Sequence, residues 1–316
     1  MLLLPGTELS VTAAVWLLLD VAFLAALLLH LLLGGYGCRS PLWSVFQDLL
    51  RYGKTKLGQQ RPAWLHHFDL PKRWFSHFYY LSVIWNGALL WLVCRTLLSG
   101  AHMPVWLESL LYLFNKEPHQ KTSGEELSTI LALSLIWLHS LGRLAECRYV
   151  SVFSSGVINL AQYCLGIGFY IFIGITLLDH PQLDVKTVTI SDLASQLHWY
   201  HVMGMLVFCW ASVHQHRCLV ILASLRKNKS GKVVSLTHAV PRGDWFEMVS
   251  CPHYFAELLI YISVAMMFGF AHTTWWLVVL FVLFNQSGAA VLCHEFYHEK
   301  FEDYPAHRKA LIPYLF

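Results

Sequence analysis

The chain closes on Asn285–Phe316, NQSGAAVLCHEFYHEKFEDYPAHRKALIPYLF. The stretch begins inside an apolar run and leaves it at His294. It then sets down His294, Tyr297, His298, Glu299, Lys300, Asp303, Tyr304, His307, Arg308 and Lys309 before the apolar LIPYLF. Titratable and aromatic residues mixed this densely read as a folded cap at one membrane face, not as a loose polar tail.

The apolar run that feeds the cap covers Trp275–Cys293. Little more than His272, Thr273 and Thr274 separates it from the run Tyr254–Ala271, which predicts a tight hairpin. Five further runs lie upstream, at Val11–Leu33, Phe75–Leu98, Leu127–Glu146, Val157–Leu178 and Trp199–Leu222. Each is near the roughly 20 residues that a spanning helix needs. The composition agrees, with 56% hydrophobic and 13% charged residues, against about 25% charged in a soluble domain. The expectation is an all-α membrane protein with about seven transmembrane helices, folded as one domain over residues 1–316. The first run lacks a basic leader and is too long for a signal-peptide core, so it reads as a retained span.

Charges in the connections alternate. No Lys or Arg precedes the first span. The connection after it holds Arg39, Arg51, Lys54, Lys56, Arg61, Lys72 and Arg73 against Asp48 and Asp69. The next mixes Lys116 and Lys121 with four glutamates, and the fifth sets Lys186 among three aspartates. The sixth is basic again, with Arg226, Lys227, Lys229, Lys232 and Arg242. The positive-inside rule then predicts a lumenal N-terminus and a cytosolic C-terminus. The sequons at Asn228 and Asn285 fall on the cytosolic side and inside a helix, so neither is expected to carry glycan.

A net charge of +3 without a long basic run is too small to imply nucleic acid, and no nucleic-acid partner is expected. Eight cysteines with no CxxC pair fit buried thiols better than disulfides or zinc. No Rossmann GxGxxG, no Gly-Lys-Ser/Thr loop and no HisxxGluHis zinc spacing is assigned, and no metal site is expected.

Several constellations could carry chemistry. His139, Arg143 and Glu146 share one helix face by their spacing; the plain alternative is an Arg–Glu pair snorkelling at a span end. Leu225–Lys232, LRKNKSGK, suits phosphate binding, although cytosolic loops are basic in any case. Pro241–Leu259 is amphipathic and reads as an interfacial segment. Glu257 lies one turn into a span, where a lone carboxylate is costly unless it is paired, and Tyr261 shares its face. Asn285, Gln286 and Ser287 offer amides and a hydroxyl mid-span, with helix–helix hydrogen bonding as the plain reading. Asp20, His30 and His272 read as cavity-facing or interfacial.

The tail motif His294-Glu295-Phe296-Tyr297 with FEDYPAHRKALIPYLF, the Glu257 segment, the LRK loop and HSLGRLAECRYVSVFS (His139–Ser154) together resemble the steroid 5α-reductase family over nearly the whole chain. FQDLLRYGKTK, FDLPKRWFSHFY and GDWFE most resemble its polyprenoid-reducing branch. Lys116–Glu126 alone looks unconstrained.

The resemblance implies NADPH bound from the cytosolic side and reduction of a carbon–carbon double bond beside a carbonyl. It implies an endoplasmic reticulum membrane and a polyisoprenoid lipid substrate in dolichol synthesis. Carried over by residue, Arg226 with Lys227 would meet the cofactor's phosphates. Gln215, Glu257, Tyr297 and Arg308 would line the nucleotide site. Asp69, if protonated, would reach the substrate carbonyl, with His139 and Arg143 on the substrate side, and His294 and Glu257 would act in catalysis. Three positions depart from the family pattern: His253 replaces an Asn, Ala239 an Arg, and Ser140 a Tyr that helps hold a steroid ketone. The last argues against a steroid substrate. A steroid reductase, or a transporter or scaffold, stands as the alternative; the intramembrane His, Arg and Glu would suit proton coupling, but repeat symmetry is absent.

Overall fold

The computed structural model describes residues 9–34, 40–56, 60–115, 124–179, 187–228 and 230–316. Arg39, Lys116, Lys121, Lys186, Lys229 and Cys38, and most of the Lys116–Glu126 stretch, lie outside the described residues.

Ten α-helices form the chain's frame among the described residues. They are α1 (Val11–Leu33), α2 (Pro41–Leu50), α3 (Phe75–Ser99), α4 (Val105–Asn115), α5 (Glu126–Ala145), α6 (Leu160–Leu177), α7 (Ile190–Ser195), α8 (Trp199–Ser224), α9 (Pro252–Met267) and α10 (Thr273–Lys300). Six of them, α1, α3, α5, α6, α8 and α10, are long and apolar enough to cross a membrane. The protein is an all-α membrane protein. Among the described residues one two-stranded antiparallel ribbon pairs β1 (Asp69–Pro71) with β2 (Val157–Asn159) and sets Asp69 opposite Asn159.

Two expected spans change. The run from Val157 begins as β2, and the helix starts at Leu160 because Asn159 caps it: its side chain accepts from Ala161 N at 2.8 Å. The run Tyr254–Ala271 becomes α9, only 16 residues long. At 1.5 Å per residue it reaches about 24 Å, short of a roughly 30 Å hydrocarbon core. Pro252 opens α9, and the left-handed pair Gly269 (φ 54°) and Phe270 (φ 67°) follows its end. Most of α9 is buried, whereas α1 exposes most of its length. α9 is therefore the central post of the bundle, packed along α8 and α10 and touching α5. Gly204 of α8 permits the close crossing: a Cβ there would stand 3.0 Å from the Ser263 carbonyl oxygen.

α10 continues past Cys293 to Lys300, so the first part of the cap is helical. The rest folds back on Pro241–Cys251. Ser250 N donates to Lys309 O (2.8 Å), Cys251 N to Ala310 O (3.2 Å) and Lys309 N to Met248 O (3.0 Å). Phe246, Val249 and Cys251 are fully buried in this joint. The segment read as interfacial is thus the platform for the cap. The polar residues of α1 also find places: His30 Nε2 donates to Glu295 of α10 (3.0 Å), while Asp20 is buried away from the central cavity. His272 caps α10 by accepting from Trp275 N.

Candidate active site

A cavity of about 590 Å³ opens among α1, α3, α5, α6, α8, α9 and α10, within the range of small-molecule and cofactor sites. Its wall is polar at two places and apolar elsewhere.

At the first, Lys54, Lys72 and Arg226 face the cavity together with His238 and Tyr297. Gly53 (φ 57°) turns the chain so that Lys54 points inward, and a Cβ on Gly156 would lie 2.8 Å from Gly53 Cα. The two backbones therefore touch, which fixes the turn. Lys54 Nζ sits 3.7 Å from the centre of the Tyr297 ring, a cation–π contact. Burial works against its charge, but Cys293 and Tyr297 beside it outweigh that and hold its pKa above the ordinary lysine value. Arg226 donates to Val152 O (2.5 Å) and to His238 Nε2 (3.1 Å). Burial, then the cations Lys54, Arg226, Lys300 and Lys72, push His238 down to about 4. It is neutral at pH 7 and free to accept from Arg226.

At the second, α9 presents Glu257 to α5 and α8. His139 Nε2 donates to Glu257 Oε1 (3.1 Å), and Gln215 Nε2 donates to Oε2. Gln215 also reaches His253 O (3.3 Å). Glu257 is thus the paired intramembrane carboxylate that its cost demands. Arg143 donates to Tyr79 OH (3.3 Å) and pairs with Glu146, and Tyr79, Tyr170 and Tyr261 line the wall nearby. His253 lies in the field of both places, feeling Lys54 and Lys72 on one side and Arg143 and Glu257 on the other. The apolar part of the wall is Phe23 and Leu27 of α1, Phe169 of α6, and Phe281 and Val282 of α10. Asn285 and Gln286 line the cavity instead of tying helices together.

Three cations at one place suit an anionic cofactor, a hydrogen-bonded carboxylate at the other suits an oriented polar head, and the apolar part of the wall suits a hydrocarbon. Residues 154–316 match the family described as 3-oxo-5-alpha-steroid 4-dehydrogenase. Proteins named polyprenal reductase align nearly end to end. That of Xenopus tropicalis is 59% identical over 97% of this chain and 100% of its own. That of Xenopus laevis is 57% identical over 100% and 98%, and that of Homo sapiens is 51% identical over 96% and 95%.

This chain belongs to the steroid 5α-reductase family. It is an oxidoreductase, and the family implies a nicotinamide cofactor. The residues fit one: Lys54, Lys72 and Arg226 would hold its phosphates, and Gln215, His253 and Glu257 offer polar groups to its ring.

Within this steroid 5α-reductase scaffold, the predicted site residues divide. Glu257, Gln215, Arg226, Tyr297 and Arg143 line the cavity. His139 stands behind Glu257 and is used up by it. Four others do not reach the cavity. Lys227 donates to Val150 O (3.1 Å) and pins the basic loop. Arg308 is buried beneath the cap, donating to Pro241 O (2.9 Å) and to Glu247 (3.1 Å), so it docks the tail. His294 shares a 2.6 Å hydrogen bond with Ser250, which also bonds Tyr304; it supports the wall from outside. Asp69 sits in a buried four-charge cluster with Asp48, Lys56 and Arg61. Burial raises its pKa, but Arg61 and Lys56 outweigh that and hold it below the usual carboxylate range. An anion cannot donate to a carbonyl oxygen, so Asp69 fastens the β1–β2 ribbon instead.

Lys54 and Lys72 are functional candidates that sequence reasoning left among the positive-inside charges. Gly53-Lys54-Thr55 is a Gly-Lys-Thr triplet after all, although Asp48 stands where a phosphate loop has its first glycine. His294-Glu295-Phe296-Tyr297-His298 likewise has the letters of a zinc-enzyme helix. Yet Glu295 turns to His30, and no group of three metal-ligating side chains gathers among the described residues.

Proposed function

We propose that this chain reduces the double bond of the α-isoprene unit of polyprenal, with NADPH as reductant, in dolichol synthesis for N-glycosylation. We place it in the endoplasmic reticulum membrane, N-terminus lumenal and cap cytosolic. One observation carries the reading: a single cavity holds a cationic end, a paired carboxylate and an apolar wall, in a chain similar from end to end to polyprenal reductases.

Bound NADPH would supply the hydride equivalent. The chain's own residues do the rest. Lys54, Lys72 and Arg226 neutralise phosphate charge from the face that the cap closes. Glu257, held by His139 and Gln215, fixes the polar end. The Phe23–Phe169–Phe281 wall keeps the reacting carbons dry and receives the first isoprene units, while the remaining tail stays in the bilayer.

The aldehyde is the immediate substrate on chemical grounds. A carbon accepts hydride when it is electron-poor, as the β-carbon of an unsaturated aldehyde is; an allylic alcohol has no such activation. Ser140 bonds Ser82 (2.6 Å) and the Ile136 carbonyl in the core, so it offers nothing to a steroid ketone.

Purified protein with NADPH, given polyprenal and polyprenol separately, tests the reading. The aldehyde is expected to be saturated. Faster saturation of the alcohol without an oxidising partner overturns the choice of substrate. The absence of saturable NADPH binding in a fluorescence titration overturns NADPH as the reductant.

A further inference from the structure

The reduction of an enal places charge on oxygen. Hydride added to the β-carbon sends the C=C electron pair toward the α-carbon and the carbonyl pair onto oxygen, giving an enolate. A proton delivered to the α-carbon, drawn in the end from solvent, re-forms the C=O bond and completes the saturation. Something must hold the oxygen meanwhile, and most donors near Glu257 are committed elsewhere. Asp69 is an anion outside the cavity. Ser140 is spent on Ser82 and Ile136, and His139 on Glu257. Tyr79 is engaged by Arg143 and Tyr170.

Among the described residues, two that line the cavity keep an unpartnered buried group, His253 at Nδ1 and Tyr261 at its hydroxyl, and of these Tyr261 carries the hydroxyl. It lines the cavity one helical turn after Glu257 and is 1% exposed. Its hydroxyl is fully buried and has no hydrogen-bond partner among the described residues. The ring is held: it stacks on Trp275 (6.0 Å, 11°), packs against Phe169 (6.0 Å), and Trp275 Nε1 donates to its carbonyl oxygen (3.0 Å). A buried hydroxyl without a partner is destabilising, and this one belongs to a residue of the cavity wall. Phenylalanine would pack equally well there at no such cost.

Resting on the polyprenal reading, we propose that Tyr261 is a catalytic residue whose hydroxyl donates a hydrogen bond to the aldehyde oxygen of the substrate and stabilises the enolate as it forms.

The test uses the full-length protein in micelles with NADP⁺, which cannot reduce, and farnesal carrying ¹³C at the carbonyl. Isotope-edited infrared spectroscopy reads the carbonyl stretch of the bound probe. In the native protein the band is expected below its position in an apolar solvent, the mark of a donated hydrogen bond. In Tyr261→Phe it should return toward the apolar position, with NADPH affinity unchanged. The turnover of Tyr261→Phe should fall by about a hundredfold, as when one oxyanion donor is removed. The ligand-free variant should melt no lower than the native protein, because the hydroxyl it loses has no partner to leave behind.

A native band already at the apolar position overturns the proposal, as does a lowered band that survives Tyr261→Phe. A drop in melting temperature of the ligand-free variant does the same, since it would make the hydroxyl structural. Asn285→Ala and Gln286→Ala are the controls on the opposing α10 wall; a band that moves with them and not with Tyr261→Phe assigns the donor to the amides. Failure of farnesal to bind at all sinks the polyprenal reading itself, and Tyr261's role with it.

Discussion

Glu257 shows what a single residue can and cannot announce. A carboxylate one turn into an apolar helix must find partners or be neutral, and it finds two, from α5 and α8. His294 looked equally chemical from its surroundings but serves as a strut beneath Ser250. The two should separate in kinetics. Glu257→Gln is expected to lower turnover by roughly 10–100-fold, the loss of one or two charge-assisted hydrogen bonds, with the protein still folded. His294→Leu should leave turnover at saturating NADPH nearly native and weaken NADPH binding. Equal losses of turnover in both variants would contradict this division.

His238 gives a pH prediction with a definite sign. Its folded pKa of about 4 lies below the ordinary 6.5, so between these values the unfolded chain binds the extra proton. Stability must therefore fall as pH drops from about 6.5 toward 4 and level off below. His238→Gln keeps an acceptor for Arg226 without the titration, and its melting temperature should decline less steeply over that window. Parallel profiles for the two proteins would remove His238 from the account.

Among the elements, the turn Gly53–Thr55 matters more than its three residues suggest. It is held by the close approach of Gly156 and by the neighbouring Asp48–Lys56–Asp69–Arg61 cluster. Both act before any ligand arrives, so Lys54 is aimed in advance. Gly156→Val would drive a Cβ into the Gly53 backbone. Lys54 would then be turned away from the phosphates. The expected outcome is about a tenfold weaker NADPH affinity, equivalent to about 1.4 kcal/mol of binding, measured by fluorescence titration, with helix content unchanged by circular dichroism. Native affinity in that variant would show that the turn tolerates displacement. The same logic explains α9: too short to be a comfortable span, it is covered by α8, α10 and α5 and carries Glu257 and Tyr261 toward the cavity.

For the molecule as a whole, the alternating charges of the connections and the docked cap make one testable statement about sidedness. An epitope placed after Gly231, in an exposed stretch of the basic loop, should be reached by antibody when only the plasma membrane is permeabilised. Asn228 should remain unglycosylated, with no mobility shift on endoglycosidase treatment. Staining that requires permeabilised endoplasmic reticulum would invert the topology.

Much of this architecture was legible in the order of residues alone. Apolar length and period demand helices in a bilayer whatever packs against them, so the boundaries of α1, α3, α5 and α8 agree with the sequence within a few residues. Glu257 and Arg143 stood out because charges in or beside spans are costly wherever they fall, whereas Gln215, Arg226 and Tyr297 were marked by the family resemblance. The tertiary structure alone decided which of them share a cavity. Asp69 and Arg308 carry as much charge as Arg226, and no spacing rule reveals that the first is neutralised by Arg61 and Lys56 and the second paired with Glu247 of the platform. Nor does sequence distance reveal that Lys54, Lys72 and Arg226 converge. That is a property of packing, because electrostatic and hydrogen-bond energies depend on separation in space, and separation along the chain does not set it.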